Sequence, residues 1–412
     1  MNDSFRSMLQ AEIDRIDAAG ITKRRERIIE GFSTDAFPKA VIEGKEYGIF
    51  NSNDYLGLRH HKEVKAAEHA ASEQYGAGPG AVRFISGSLK VHRDLEKALA
   101  KFHGREDAIV YSSAFATNLA VLFCLVNGLT KDALIDSDVL MISDALNHRS
   151  IIDGVRISGL AKDSRLIFEH MDIADLDRLL TEYTGKHKRV VIVTDGVFSM
   201  LGEYQHLAQM QAVIDKHQSS YEQGILLVVD DCHGVAACGA TGRGVEEIEG
   251  VKADLLVGTL GKGFGADGGY VVGDQVLIDY LRESSATYIY SNSISPGTAG
   301  AALKAVEIVD SAEGTELLKQ SQDNIVYFKQ LLAEAGIELA APSDHPIQPV
   351  LIGETLKTKA LVQAMFDRGY LVTNISYPVV PKGRDEIRAQ IAATHTKEEI
   401  KQFVTDLKAA ME

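Results

Sequence analysis

The side chains best placed to do chemistry lie in short, separated segments of the chain. The most telling is Gly258-Thr259-Leu260-Gly261-Lys262-Gly263-Phe264-Gly265-Ala266-Asp267-Gly268-Gly269, a lysine set among glycines behind an apolar run. An amine crowded into a pocket is a nucleophile for an aldehyde. Glycines let the backbone come close to a bulky planar group and take positive φ. The same residues also read as a surface loop with a solvated lysine. A phosphate loop, GxxxxGK followed by Ser or Thr, is excluded because Gly263 follows Lys262.

Asp230-Asp231-Cys232-His233 closes the apolar run Ile225–Val229. A carboxylate at that point can pair with a pyridinium nitrogen and hold it protonated, so that the ring becomes an electron sink. It can also cap a strand-to-helix turn, and His233 can be a core histidine. In Ser143-Asp144-Ala145-Leu146-Asn147-His148-Arg149-Ser150, His148 could stack on a flat cofactor, or Asn147 could cap a helix. Tyr111-Ser112-Ser113-Ala114-Phe115-Ala116-Thr117-Asn118 turns from strand to helix, and the free N–H groups of a helix start bind phosphate. An ordinary cap by Ser112 or Ser113 is the alternative. Arg388 has the fork that suits a carboxylate, although most arginines are solvated.

These residues need elements to hold them. Apolar, β-branched runs at Ala108–Tyr111, Val139–Ser143, Arg165–Phe168, Val190–Thr194, Ile225–Asp230 and Leu255–Thr259 alternate with amphipathic segments. Several runs end on a polar residue, which is how parallel strands of an α/β sheet present ligand groups at their carboxyl edge. Tyr270–Gly273 follows its turn too soon for a helical crossover, so it reads as an antiparallel strand. After about residue 295 the rhythm changes. Helices are expected at Pro296–Asp310, Leu317–Ala335 and Thr396–Met411, and strands at Gln348–Ile352 and Tyr370–Thr373. Met8, Leu9, Ile13 and Ile16 suggest a lead-in helix over 4–18. The chain divides on this reading into an N-terminal helix and extension (1–55), a large α/β domain (56–295) and a small α+β domain (296–412).

The 412 residues, 45% of them hydrophobic, suffice for two packed domains. A net charge of −15 argues against nucleic acid as a bulk partner. The three cysteines lack CxxC spacing and read as reduced thiols. No metal site, signal peptide or membrane span is expected, and the expected address is cytoplasmic.

In this order the segments resemble the α-oxoamine synthases, fold-type I enzymes that depend on pyridoxal 5′-phosphate (PLP). The resemblance runs from Asn53-Asp54-Tyr55-Leu56-Gly57-Leu58 to Ala393-Thr394-His395-Thr396. It implies a mostly parallel sheet flanked by helices, a smaller C-terminal domain, and a homodimer with shared active sites. It implies that Lys262 holds the cofactor as an imine and later moves protons, that Asp230 holds the pyridinium nitrogen, and that His148 stacks on the ring. His233 and Ser199 would meet the phenolic oxygen. Ser113, Ala114 and Phe115 would hold the phosphate with Thr259, and Ser291 and Asn292 would reach the phosphate of the neighbouring subunit. Asn53 and Arg388 would bind the carboxylate of an amino-acid substrate.

The segments Ile142–His148, Thr194–Met200, Gly258–Lys262 and Tyr377–Gly383 resemble most the members that join glycine to acetyl-CoA. Alanine or serine with a longer acyl thioester and loss of CO₂ is the nearest alternative, and transamination a remote one. The chain departs from the family pattern in a long 126–138 connection, in Asp267, in Cys232, and in Ser199-Met200-Leu201-Gly202-Glu203, which is closer to members that use serine.

Overall fold

A computed structural model of the chain describes residues 1–19, 22–24, 26–34, 38–376 and 380–412. Its centre is a seven-stranded sheet. The strands are β1 (Asp107–Tyr111), β2 (Val139–Asp144), β3 (Arg165–Phe168), β4 (Arg189–Asp195), β5 (Ile225–Asp230), β6 (Leu255–Thr259) and β7 (Gly269–Gly273), in the order β1-β7-β6-β5-β4-β2-β3. The pairs within β6-β5-β4-β2-β3 are parallel, and β7 runs antiparallel to both β6 and β1. Every expected strand of this sheet falls within a residue or two of its observed bounds, because strands buried on both faces are continuous aliphatic runs.

Helices cover the sheet on both sides. Ala114–Cys124 and Arg149–Ile157 cross closely at Gly154, where an added Cβ would stand 2.9 Å from Leu122 Cδ1 and 3.1 Å from the Asn118 carbonyl. Lys62–Tyr75 and Lys90–His103 each pack against Pro296–Val309 on the other face. The last of these adds Ala299, Ala302, Ala305 and Val306 to the main core.

A second core gathers Phe50, Phe328, Leu332, Val350, Met365, Ile387 and Phe403. Phe50 stacks on Phe403 at 4.0 Å and on His395 at 4.3 Å. The closing helix Lys397–Met411 starts on Thr396, in a capping box with Glu399. The helix expected from Leu317 begins earlier, at Ala312, because Gly314 lets its first turn press on the Val309 carbonyl.

The expected strand Tyr370–Thr373 is two strands. Tyr370–Leu371 pairs in parallel with Lys45–Ile49, and Thr373–Ile375 pairs antiparallel with Glu386–Gln390. The chain changes sheets at Val372. Glu386–Gln390, which also pairs with Ile347–Leu351, was not among the expected strands. The lead-in helix, Asp3–Ala18, buries none of its residues against the rest of the chain. Among the described residues no helix is long and apolar enough to cross a membrane.

Candidate active site

The carboxyl ends of the parallel strands share one edge of the sheet, and a pocket opens there. Lys262, Asp230, His148 and His233 line it, together with Ala114, Phe115 and Ser199. Ser150, Asp195, Val197 and Cys232 complete the wall.

Each of these side chains is placed by local structure. Ser113 caps the helix Ala114–Cys124, its Oγ accepting the Ala116 N–H at 3.1 Å. The first turn of a helix leaves N–H groups without helical partners, so this turn presents donors to an anion. β7 passes directly beneath it, and a Cβ on Gly269 would lie 2.2 Å from Ala114 N. One helical turn on from Ala114, buried Asn118 donates to Asp230 Oδ2 at 2.5 Å and to Ser150 Oγ at 2.9 Å. The Cys232 amide donates to Asp230 Oδ1 at 3.1 Å. Asp230 is thus a carboxylate held by two donors at the wall of the pocket, where charge-assisted bonds are strong.

His148, rather than Asn147, caps the helix Arg149–Ile157. Asn147 instead ties β2 to β4, donating to the Val193 carbonyl at 2.8 Å and accepting the Asp195 N–H at 2.8 Å. His148 stands 2.7 Å from Ser150 Oγ through Nδ1, and its backbone N–H donates to Asp195 Oδ2 at 2.8 Å. Burial lowers the pKa of His148. Burial and the neighbouring charge of Asp230 raise that of Asp195 well above the carboxylate range. His233 is pushed well below the usual imidazole value by burial and then by Lys262, so its ring is neutral.

Two glycines of the lysine loop, Gly265 and Gly268, take the expected positive φ, but the close approaches that Gly263 and Gly265 make are to backbone. A Cβ on Gly263 would meet the Ala236 carbonyl at 2.3 Å, and one on Gly265 (φ +66°) would meet Arg59 N at 2.3 Å. They pack the loop onto the protein's own backbone, with turns closed by Gly265 N–H to the Lys262 carbonyl and Ala266 N–H to the Leu260 carbonyl. Thr259 lies buried behind the loop, donating to the Gly268 carbonyl at 3.1 Å. Exposed Asp267 accepts the Gly268 N–H.

Arg388 and Asn53 stand apart from the pocket wall but next to it. Arg388 Nη1 donates to the Ser199 carbonyl at 3.0 Å, while its Nε is buried without a partner among the described residues. Glu386, on the same face of that strand, is buried with neither oxygen paired among the described residues, and burial pushes its pKa up to about 8 against the pull of Arg388. Asn53 meets the Tyr55 hydroxyl. Ser291 and Asn292 lie exposed, outside the pocket of their own chain. The segment Tyr377–Val379 lies outside the described residues.

Asn118, Ser150 and Asp195 are site residues that sequence reasoning did not single out as such. Asn118 had a legible signal, since it lies four residues after Ala114 and so on the same helical face.

This set fits PLP. A buried carboxylate with one face to the pocket suits a ring nitrogen, a lysine suits the aldehyde, a helix start suits the phosphate and an imidazole suits the ring face. Comparison with known proteins agrees. Residues 46–407 match the family model "Aminotransferase class I and II". The chain is 37% identical over 405 residues to the mitochondrial 2-amino-3-ketobutyrate coenzyme A ligase of Bos taurus, covering 97% of this chain and 90% of that one. It is also 37% identical over 399 residues to the 8-amino-7-oxononanoate synthase of Treponema denticola, covering 96% and 94%. Serine palmitoyltransferase of S. paucimobilis, solved with a bound PLP–myriocin aldimine, superposes with a TM-score of 0.86 at 28% identity, covering 99% of this chain and 97% of that one. Fold, pocket and relatives converge: the chain belongs to the aminotransferase class I and II family of fold-type I PLP enzymes, in its α-oxoamine synthase branch.

Proposed function

We propose that the protein joins glycine to acetyl-CoA, giving 2-amino-3-ketobutyrate and CoA. Bound PLP supplies an electron sink for the pair left at the substrate Cα. Lys262 would take the Cα proton. Asp230, held by Asn118 and the Cys232 amide, would keep the ring nitrogen protonated, and His148 would cover the ring. His233 and Ser199 would meet the phenolic oxygen, and the turn at Ser113, Ala114 and Phe115, backed by Thr259, would hold the phosphate. Arg388 and Asn53 would grip the amino-acid carboxylate. The new bond joins Cα to the thioester carbonyl carbon, the C–S bond breaks, and CoA leaves as the thiol.

The observation that carries this reading is one pocket holding Lys262, Asp230, His148 and His233, with an arginine beside it whose Nε is buried and has no partner among the described residues. The choice of glycine and acetyl-CoA rests on the resemblance of the quoted segments and on the bovine ligase. Alanine or serine with a longer thioester is the second reading, supported by equal identity to the oxononanoate synthase and by Ser199–Glu203. The test is a matrix of amino acids against acyl-CoAs, read by thiol release. Glycine with acetyl-CoA should be the best pair, and a preference for alanine or serine with a long-chain donor would replace the first reading by the second.

Three further proposals accompany it. The protein works as a homodimer in which Ser291 and Asn292 reach the partner's cofactor phosphate, as their exposure allows. It acts in the cytoplasm. Its division at about residues 55 and 295 separates the large-sheet domain from the smaller one, with Pro296–Val309 as the helix that joins them.

A further inference from the structure

Tyr55 is fully buried beside the pocket and belongs to none of the roles above. Its hydroxyl stands 2.7 Å from His233 Nδ1 and 3.3 Å from Asn53 Oδ1. Its ring meets that of buried His345 edge-on at 5.1 Å. His345 in turn bonds the His233 carbonyl through Nε2 at 2.7 Å and accepts the Ile347 N–H on Nδ1 at 3.1 Å. Those two bonds fix His345 as a donor from Nε2. His233 is therefore held twice, by its backbone through His345 and by its ring through Tyr55.

A phenol has one proton to give. If Tyr55 gives it to His233 Nδ1, the neutral imidazole must carry its own proton on Nε2. If Tyr55 gives it to Asn53, the imidazole proton sits on Nδ1 and Nε2 is a bare acceptor. The 2.7 Å separation is a full hydrogen bond and the 3.3 Å one is long for a hydroxyl donor. Burial raises the Tyr55 pKa well above its ordinary value, so the proton stays on the oxygen across the working range. Lys262, His345, Arg388 and His148 face His233, and Arg388 and Cys238 face Tyr55. The cations among them, together with burial, keep the His233 ring neutral.

We infer that Tyr55 is a positioning residue that donates to His233 Nδ1 and so sets the imidazole as the Nε2–H tautomer, ready to donate to the phenolic oxygen of the cofactor. The inference rests on the proposed role of His233. An imidazole in the other tautomer would turn a lone pair toward an oxygen that is itself an acceptor, and the contact would repel. Tyr55 thus acts through His233 without touching the cofactor.

The test has two arms. In the wild-type protein labelled with ¹⁵N-histidine, with His233→Gln used to assign the signal, His233 should carry its proton on Nε2. A proton on Nδ1 overturns the inference. In the Tyr55→Phe holoprotein, which keeps the ring against His345, the pH titration of the Lys262-linked cofactor absorbance should shift by about one pH unit from wild type. A titration that overlays wild type overturns the inference. If Tyr55→Phe fails to fold, the wild-type tautomer still decides. Failure of the functional reading looks different, since protein that never traps the cofactor on Lys262 under borohydride removes the PLP role without altering the measured tautomer.

Discussion

Asn118 and Asp230 form the shortest side-chain link in the pocket wall, with Nδ2 donating to Oδ2 at 2.5 Å inside a region closed to solvent. The donor belongs to the same helix whose start presents N–H groups to an anion, so in the proposed binding mode one rigid element would serve both ends of the cofactor. A hydrogen bond to a charged group contributes about 1.5–3 kcal/mol. Asn118→Ala should therefore weaken PLP binding about 10- to 100-fold while leaving the sheet intact. Titration of apoprotein with PLP, followed by absorbance, measures it.

Lys262→Ala should abolish borohydride trapping and lower turnover by on the order of 10³-fold or more. PLP should still bind, because Asp230 and the helix start are untouched. Mass spectrometry of reduced protein together with a thiol-release assay checks both statements.

Glu386 should make amino-acid binding sensitive to pH. Burial raises its pKa to about 8, so it is neutral at pH 7 and ionises above that value. Once ionised it would compete with a substrate carboxylate for Arg388, if Arg388 binds that carboxylate as proposed. KM for the amino acid should rise as pH passes about 8, and Glu386→Gln should flatten that rise. Arg388→Ala should raise KM about 10-fold or more at every pH, since a bidentate partner is lost. Steady-state kinetics across pH reports all three.

His170 links pH to stability. Burial pushes its pKa down, but hydrogen bonds to Asp144 at 2.9 Å and Glu203 at 3.4 Å outweigh that and raise it to about 9. A group with a folded value above its unfolded one stabilises fully below the unfolded value and loses that contribution as pH rises through the folded one. The protein should lose about 1–2 kcal/mol between about pH 6.5 and 9, a figure reduced for solvent screening of a partly exposed ring. His170→Gln should lack that part of the pH dependence in thermal unfolding.

Gly269→Ala would place a methyl 2.2 Å from Ala114 N, and the helix start would have to move. Overpacking of this kind costs about 1–3 kcal/mol. Thermal unfolding should show that loss. PLP affinity should fall more than affinity for pyridoxal, which lacks the phosphate.

The large sheet was legible because all its strands except the edge strand Arg165–Phe168 are buried on both faces. Ile225–Asp230 and Arg189–Asp195 carry little besides aliphatic residues until a polar end, and that end is where Asp230 and Asp195 meet the pocket. The smaller sheet was harder. Glu386–Gln390 alternates polar and apolar residues, with Ile387 and Ala389 in the core, but five residues carrying two charges give a weak signal. The break at Val372 depends on which strands stand nearby, and local sequence does not encode that. In the pocket, Lys262, Asp230, His148 and His233 stood out by residue type at a strand end. Tyr55 did not, because a buried phenol acquires meaning only from what lies across from it, and Asn118 was marked only by its spacing of four residues from Ala114. The lysine-loop glycines were noticed for their number, and their neighbours turned out to be Ala236 and Arg59.

The antiparallel position of β7 has a consequence for how the molecule is made. β1 is an edge strand, and β7 is its sole neighbour in the sheet. A growing polypeptide that has not yet delivered Gly269–Gly273 has nothing to zip onto Asp107–Tyr111, and the helix start behind it has no floor. If that helix start holds the phosphate as proposed, vitamin capture should follow synthesis of Gly269–Gly273, because a pairing so distant in sequence forms after its partner strand is made.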